Sequence, residues 1–340
     1  MMKEAFVGNA RIGGCEMQGG CVEQLTAGHA TPISVQMIGN LEVRRGETVL
    51  TSTTLGSPKA RQIFEILLLR LGSPVSKGEL IELLWGGRPP GKAQATLESY
   101  VSLLRRSLQP GDAKTGPLRT ATGSYVLDPD LVEVDLVRFN QLVAQADESA
   151  PAEAYPLLAQ ALKLASAPLL GDELATEWAD EARVHHASLV TSVQIRAAET
   201  AEHLGRTQDA VHWAEQAVAS EPLNERAWST LVTTLESAGR YAEGLQAYDK
   251  CRRLLDRELG CTPGPTLRDA HARLLQKTVE DDGELSEVLA ALLYLNDRMR
   301  AQPAHQNTRA STKRAQGSSS YTNTAGRVIS AFLNKALTVG

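Results

Sequence analysis

A short pattern that recurs at an offset of 34 residues constrains this fold more than any other feature of the chain. Leu204-Gly205-Arg206 returns as Ala238-Gly239-Arg240, and in the same register Ala210 matches Gly244 and Ala214 matches Tyr248. That period, with small residues following a Gly-Arg turn, belongs to stacked pairs of helices, in which small side chains let the two helices approach closely. One pair leaves its apolar faces uncovered, so neighbouring helices must complete a stack. Helical patterns at 137–148, 152–165 and 172–203 supply them, and from Val134 onward the chain reads as entirely helical. Two further helical patterns, at 284–299 and 327–338, flank residues 300–326, whose Gln/Ser/Thr/Asn-rich composition predicts disorder.

The N-terminal half has a different grammar. Residues 1–30 are Gly-rich and weakly periodic, a flexible tail, and Cys15 and Cys21 within it have neither metal-site spacing nor a nearby His. Alternating Ile33, Val35 and Met37, then Leu41 to Val43 and Thr48 to Thr51, predict three short strands in a meander. Ser57-Pro58 opens a helix with Pro at its first position, and Ile63, Phe64, Leu67, Leu68 and Leu71 carry it to Gly72. Ser76 and Glu79 have capping-box spacing ahead of a short helix, Leu80 to Trp85, that stops at Gly86-Gly87. A third helix runs from about Ala93 to Gln109, with Pro110 as its stop. Its apolar face is Ala93, Leu97, Tyr100, Val101, Leu104 and Leu108; Gln94, Ala95, Glu98, Ser102, Arg105, Arg106 and Gln109 fall largely opposite. Leu118 to Thr122 and Tyr125 to Leu127 flank Gly123-Ser124 as a hairpin. Strands, three helices and a hairpin make a winged helix-turn-helix over 31–130, with Trp85, Tyr100 and Tyr125 in its core.

Charge divides along the same line. Residues 31–126 carry 12 Lys and Arg against 7 Asp and Glu, whereas the whole chain has a formal net charge of −5. A basic segment ahead of an acidic one suits a polyanion-binding module joined to one that avoids polyanions. Four cysteines in 340 residues are too few for a disulfide framework, which points to a reducing, cytoplasmic compartment. No apolar run approaches the roughly 18 residues of a membrane span, and no apolar segment follows Lys3 as a secretory signal requires.

Several chemical signals fail on inspection. Gly86-Gly-Arg-Pro-Pro-Gly91-Lys92-Ala93 approaches a phosphate-binding loop, but Ala93 lacks the hydroxyl that would hold Mg²⁺ and the preceding segment reads as helix rather than strand. The seven histidines, His185, His186 and His212 among them, show no metal-site spacing and read as surface or partly buried helix residues. Cys251 and Cys261 read as small core residues. No nucleophile–base pair stands out, so the expectation is a protein that is not an enzyme and that needs no cofactor or metal.

The stretch 33–278 resembles the actinomycete SARP family of antibiotic regulatory proteins, which join an OmpR-type winged helix to a bacterial transcriptional activation domain. The matching motifs in the first half are Gly56-Ser-Pro-Lys-Ala-Arg61, Val75-Ser-Lys-Gly-Glu-Leu-Ile81, Leu84-Trp-Gly86, Val101-Ser-Leu-Leu-Arg-Arg106 and Val134-Asp135 with Phe139. In the second they are Gly239-Arg-Tyr-Ala-Glu-Gly-Leu245, Tyr248 and Leu259-Gly-Cys-Thr-Pro263. The chain departs from the family at Gln94 and Leu103, commonly basic, at Ala95, commonly Asn, and at Glu98, commonly Gln. It departs again at Ser124 in the wing and at Ala165-Ser166-Ala167, and residues 279–340 do not read as the nucleotide-binding module that larger members carry after the activation domain. The fold expected is mainly α with a small β component: a winged helix-turn-helix, then an all-α tetratricopeptide-like domain over 134–278, with 279–340 as a C-terminal tail.

A helix in the major groove reads base edges while phosphate contacts fix its register. Gln94, Glu98 and Ser102 are the base-reading candidates, with Thr96 and Ser99 completing the candidates on that helix. Arg105 and Arg106 near its end, and Lys59, Lys77 and Lys92 beside helix starts, are phosphate candidates. Arg119 or Thr122 in the wing would enter the adjacent minor groove. The resemblance implies a nucleoid-associated activator that binds direct repeats of double-stranded DNA near a promoter's −35 region as a dimer. It further implies recruitment of RNA polymerase with its sigma factor, to switch on a secondary-metabolite gene cluster. The alternative, motivated by positions 94, 95, 98 and 103, is a helical-repeat scaffold whose winged helix has lost specific DNA binding.

Overall fold

The computed structural model describes residues 32–109, 116–173 and 176–281. The expectations for 1–30, for Cys15 and Cys21, and for 284–299, 300–326 and 327–338 lie outside the described residues. The three N-terminal strands form as read: β1 (Ile33–Gln36), β2 (Glu42–Arg45) and β3 (Thr48–Thr51) make an antiparallel meander. α1 (Pro58–Leu69) starts where the Ser57 hydroxyl accepts from the Ala60 N–H. β4 (Val75–Ser76) leads into α2 (Lys77–Trp85), and α3 (Ala93–Leu108) follows after a seven-residue turn, Gly86 to Lys92. β5 (Leu118–Ala121) and β6 (Ser124–Leu127) form the wing, and β6 also pairs with β4. Ser76 caps α2 by accepting from the Glu79 N–H, but Glu79 does not close the expected box: its carboxylate pairs with Arg70 instead.

A further strand, β7 (Val132–Val134), was not expected from the sequence. It runs parallel to β1 and gives the first sheet the order β3-β2-β1-β7. The helices after it are α4 (Asp135–Asp147), α5 (Pro151–Leu164), α6 (Glu177–His203), α7 (Thr207–Ser220), α8 (Glu225–Ser237), α9 (Tyr241–Leu259) and α10 (Pro265–Asp281). The fold is thus mainly helical with a small β component, a winged helix-turn-helix followed by tetratricopeptide-like helix pairs. The small positions of the 34-residue repeat have the predicted use: a Cβ on Gly244 would stand 2.8 Å from Leu274 Cδ1, so α9 and α10 meet where glycine leaves room. No described helix is long and apolar enough to cross a membrane.

The helix expected over 172–203 begins only at Glu177. The chain before it folds back on β1 instead: Leu170 N–H donates to Met37 O (2.8 Å) and Gly171 N–H to Gly39 O (2.7 Å). Gly171 permits this approach, since a Cβ there would lie 3.0 Å from the Gly39 carbonyl oxygen. Leu170 takes a left-handed φ of 53°, which ends any helical continuation.

These contacts weld the winged helix to the helical repeats. One apolar cluster runs without a break from Ile33 on β1 to Ala197 on α6; a second, Ile195 to Leu274, fills the later helix pairs. The polar seam is equally continuous. Both Asp135 carboxylate oxygens accept backbone N–H groups, those of Met37 and Ile38, and Asp172 accepts from Leu41 N–H. Glu173 accepts from Arg61 and Gln62 of α1, and Arg183 donates to the carbonyls of Leu169, Leu170 and Glu173.

Other core expectations divide. Tyr125 is buried, while Trp85 and Tyr100 are only half-buried. His186, read from sequence as surface or partly buried, is instead buried, edge-on to Phe139 with ring centroids 5.1 Å apart. Cys251 is buried, and burial pushes its thiol up to about 12, so it is an inert core residue. Cys261 is exposed, contrary to the reading that placed both in the core: it follows Gly260, the left-handed residue that ends α9, and so leaves the apolar helix face.

Candidate nucleic-acid interface

Apolar residues at positions 97, 101, 104 and 108 recur every three or four residues, so α3 turns these side chains inward, and all four are buried. The opposite face must then be polar and free. Gln94, Ala95, Glu98, Ser99, Ser102, Leu103 and Arg106 are all exposed. Lys92, the residue before α3, makes no side-chain cap, and the first N–H group of the helix, that of Ala93, donates to Pro90 O (2.9 Å).

The polar residues of this region differ in how far they are committed. Glu98 Oε1 accepts from Lys77 Nζ (2.8 Å) and from Gln94 Nε2 (3.2 Å). The Lys77 ammonium, then Gln94, holds the Glu98 carboxyl below its ordinary range, and Glu98 in turn raises Lys77. The carboxylate therefore stays ionised while the neighbouring cation offsets its repulsion of phosphate. Gln94, Glu98 and Lys77, drawn from two helices, are thus one cluster. Thr96 and Ser99 turn their hydroxyls onto the Lys92 and Ala95 carbonyls of their own helix. Ser102 is exposed on the same face.

The expected phosphate group does not gather in one place. Lys59 points inward, donating to the Leu84 carbonyl at the end of α2 and to Gln62 Oε1 (3.0 Å). Arg105 reaches the wing, donating from Nε to Leu118 O (3.2 Å) and from Nη2 to Thr120 Oγ1 (2.6 Å). Arg119 pairs with Asp128. Thr122 is exposed at the wing turn. Lys92 and Arg106 are exposed and carry no ion pair among the described residues.

Two residues were missed from sequence. Arg88 is exposed in the turn between α2 and α3 and has no ion pair among the described residues. A cation inside a Gly/Pro-rich turn of a helix-turn-helix was the signal that could have found it. Arg45 on β2 donates to Ser107 O (2.8 Å) and braces the last turn of α3; no local pattern announces a bond across 62 residues. The segment resembling a phosphate-binding loop is the turn between two helices, and among the described residues no group of His, Cys, Asp and Glu could hold a metal ion.

Comparison with known proteins agrees with this geometry. Residues 52–124 match the family described as transcriptional regulatory protein, C terminal, and residues 134–275 match the bacterial transcriptional activator domain. The regulatory protein AfsR of Streptomyces coelicolor is 34% identical over 258 residues, covering 73% of this chain and 24% of AfsR, so the match spans about a quarter of that relative. The regulatory protein DnrI of Streptomyces peucetius is 28% identical over 271 residues, 76% of this chain and 98% of DnrI. Among solved structures, Mycobacterium tuberculosis EmbR in complex with a low-affinity phosphopeptide superposes with a TM-score of 0.66 at 26% identity, covering 77% of this chain and 71% of that one.

Proposed function

We propose that this chain, which belongs to the SARP family of transcriptional regulators, binds direct repeats of double-stranded DNA at promoters and activates a secondary-metabolite gene cluster by recruiting RNA polymerase. The observation that carries the proposal is the polar face of α3, with a cation at each end, Lys92 and Arg106, that has no ion pair among the described residues, and a hairpin wing alongside. In this reading α3 lies in the major groove. Gln94, Glu98 and Ser102 face base edges, and the ionised Glu98 accepts from a cytosine N4 amine. Lys92, Arg88 and Arg106 meet phosphates, while Lys77 contributes charge beside Glu98. Thr122 at the wing turn faces the adjacent minor groove. Direct repeats about one helical turn apart put two protomers on one side of the duplex. The helical repeats, more acidic than the winged helix, then face the polymerase and its sigma factor.

Run-off transcription tests the whole proposal. On a template carrying a repeat that the protein protects, adding the chain to polymerase holoenzyme raises transcript yield several-fold, and scrambling the repeat abolishes the gain. Equal yields with and without the protein, on a template it demonstrably occupies, would remove recruitment from the proposal and leave a DNA-binding protein of another kind.

A further inference from the structure

Two consecutive arginines in the last turn of α3 meet different surroundings. Arg106 is exposed and has no ion pair or side-chain hydrogen bond among the described residues. Arg105 is half-buried and committed twice, to Leu118 O and to Thr120 Oγ1, both on β5, the first strand of the wing. Its guanidinium carbon also lies 6.0 Å from the centre of the Tyr125 ring on β6, which the Lys77 ammonium approaches to 5.6 Å. The outer strand of the wing needs such a tie. Beyond Leu118, β5 buries nothing: Arg119, Thr120 and Ala121 are exposed, and this edge strand lies uncovered beyond its pairing with β6, whose Ser124, Tyr125 and Leu127 are buried. β4 holds the β6 side through Val75 and Ser76, and the Lys77 N–H at the start of α2 donates to Gly123 O. On the α3 side, Gln109 Oε1 accepts from Leu118 N–H at the base of the wing, and Arg105 reaches the outer half at Thr120.

We infer that Arg105 is a positioning residue that fixes the wing against α3, and with it the spacing between the major-groove and minor-groove contacts, rather than a phosphate ligand. A planar guanidinium suits this role, because its donors are held in a rigid fork and two bonds from one group set an orientation as well as a distance. A lysine could supply the charge but not the fork. The part of the inference that concerns grooves rests on the proposed DNA binding; the part that concerns the wing does not.

The test compares Arg105→Gln, Arg105→Lys, Thr120→Val and Arg106→Gln in the full chain. In free protein, amide hydrogen exchange across Thr120 to Val126 accelerates about tenfold in Arg105→Gln, as loss of a charge-assisted bond implies, and stays at the wild-type rate in Arg106→Gln. Arg105→Lys does not rescue it, and Thr120→Val, which keeps the charge and the shape, moves in the same direction by a smaller factor. On DNA, Arg106→Gln lowers the slope of log affinity against log salt by about 0.9, the loss of one phosphate contact. Arg105→Gln keeps the wild-type slope but loses minor-groove protection beside the major-groove element. Wild-type exchange in the wing of Arg105→Gln, or a slope reduced by about 0.9 with wing protection intact, would overturn the inference. Accelerated exchange in a protein that binds no DNA specifically would uphold the positioning role and sink the proposed function instead.

Discussion

Asp135→Ala lowers the stability of the chain by about 3–6 kcal/mol, from two hydrogen bonds to a charged acceptor worth about 1.5–3 kcal/mol each. Asp135 is the first residue of α4, and its two carboxylate oxygens take the N–H groups of Met37 and Ile38, both at 2.9 Å. Those amides lie just past the end of β1, so no sheet ladder serves them, and both residues are almost wholly buried. Alanine leaves two buried donors without an acceptor, the costly half of a lost hydrogen bond. Asparagine offers one acceptor oxygen in place of two and should forfeit roughly half as much. Since single domains are stable by about 5–15 kcal/mol, the alanine variant approaches the limit of folding at ordinary temperature. Urea denaturation of the wild type and both variants measures this. A shift below about 1 kcal/mol for alanine would mean that solvent reaches the seam, and the shared core would not be the rigid unit described above.

Glu65→Gln changes how stability responds to pH. Glu65 sits on α1 with no solvent exposure, facing Arg61 of its own helix, Asp172 and Glu173 of the returning segment, and Arg183 of α6. Burial, reinforced by the Glu173 charge and opposed by Arg61, pushes its carboxyl up to about 8. Arg61 is already taken up by Glu173 at 3.0 Å and stands 3.6 Å from Glu65, so one guanidinium cannot fully serve two anions. A group whose folded value lies above its unfolded value stabilises the fold fully below the unfolded value, near 4.5, and loses that contribution as pH rises through about 8. The wild type therefore weakens between pH 5 and pH 9 by roughly 3–5 kcal/mol from this group, and Glu65→Gln, which cannot ionise, does not. His186 acts at the other end: burial lowers it, so its contribution is lost as pH falls below its ordinary value. Denaturation midpoints at pH 5, 7 and 9 separate the two. A wild type and a glutamine variant that keep a constant difference across that range would show Glu65 ionised throughout.

Much of this was legible in the sequence because it depends on local rules. Apolar spacing placed the buried face of α3, serine ahead of the helices placed two caps, and the 34-residue offset placed the paired helices. What escaped depends on partners far along the chain. Val132–Val134 is too short for alternation to separate a strand from a linker, and only β1, a hundred residues earlier, makes it one. Residues 172–176 have helical composition, but contact with β1 holds the chain before them in a turn. The cations show the same division. Position and charge made Lys59 and Arg105 candidates for phosphate, whereas their bonds run to Leu84 and to the wing, acceptors that no helical wheel displays. Glu98 is the converse case: a carboxylate on a helix proposed to face DNA reads as a defect until Lys77, from the preceding helix, is found beside it.

The most direct measurement is a footprint of the purified chain on the promoters next to its own gene, in excess non-specific competitor DNA and at moderate ionic strength. Protection of two repeats on one face of the duplex, surviving the competitor, is the result expected of α3 and its wing. Uniform displacement by the competitor, with tight protein–protein association retained, would contradict it and leave the scaffold reading in its place.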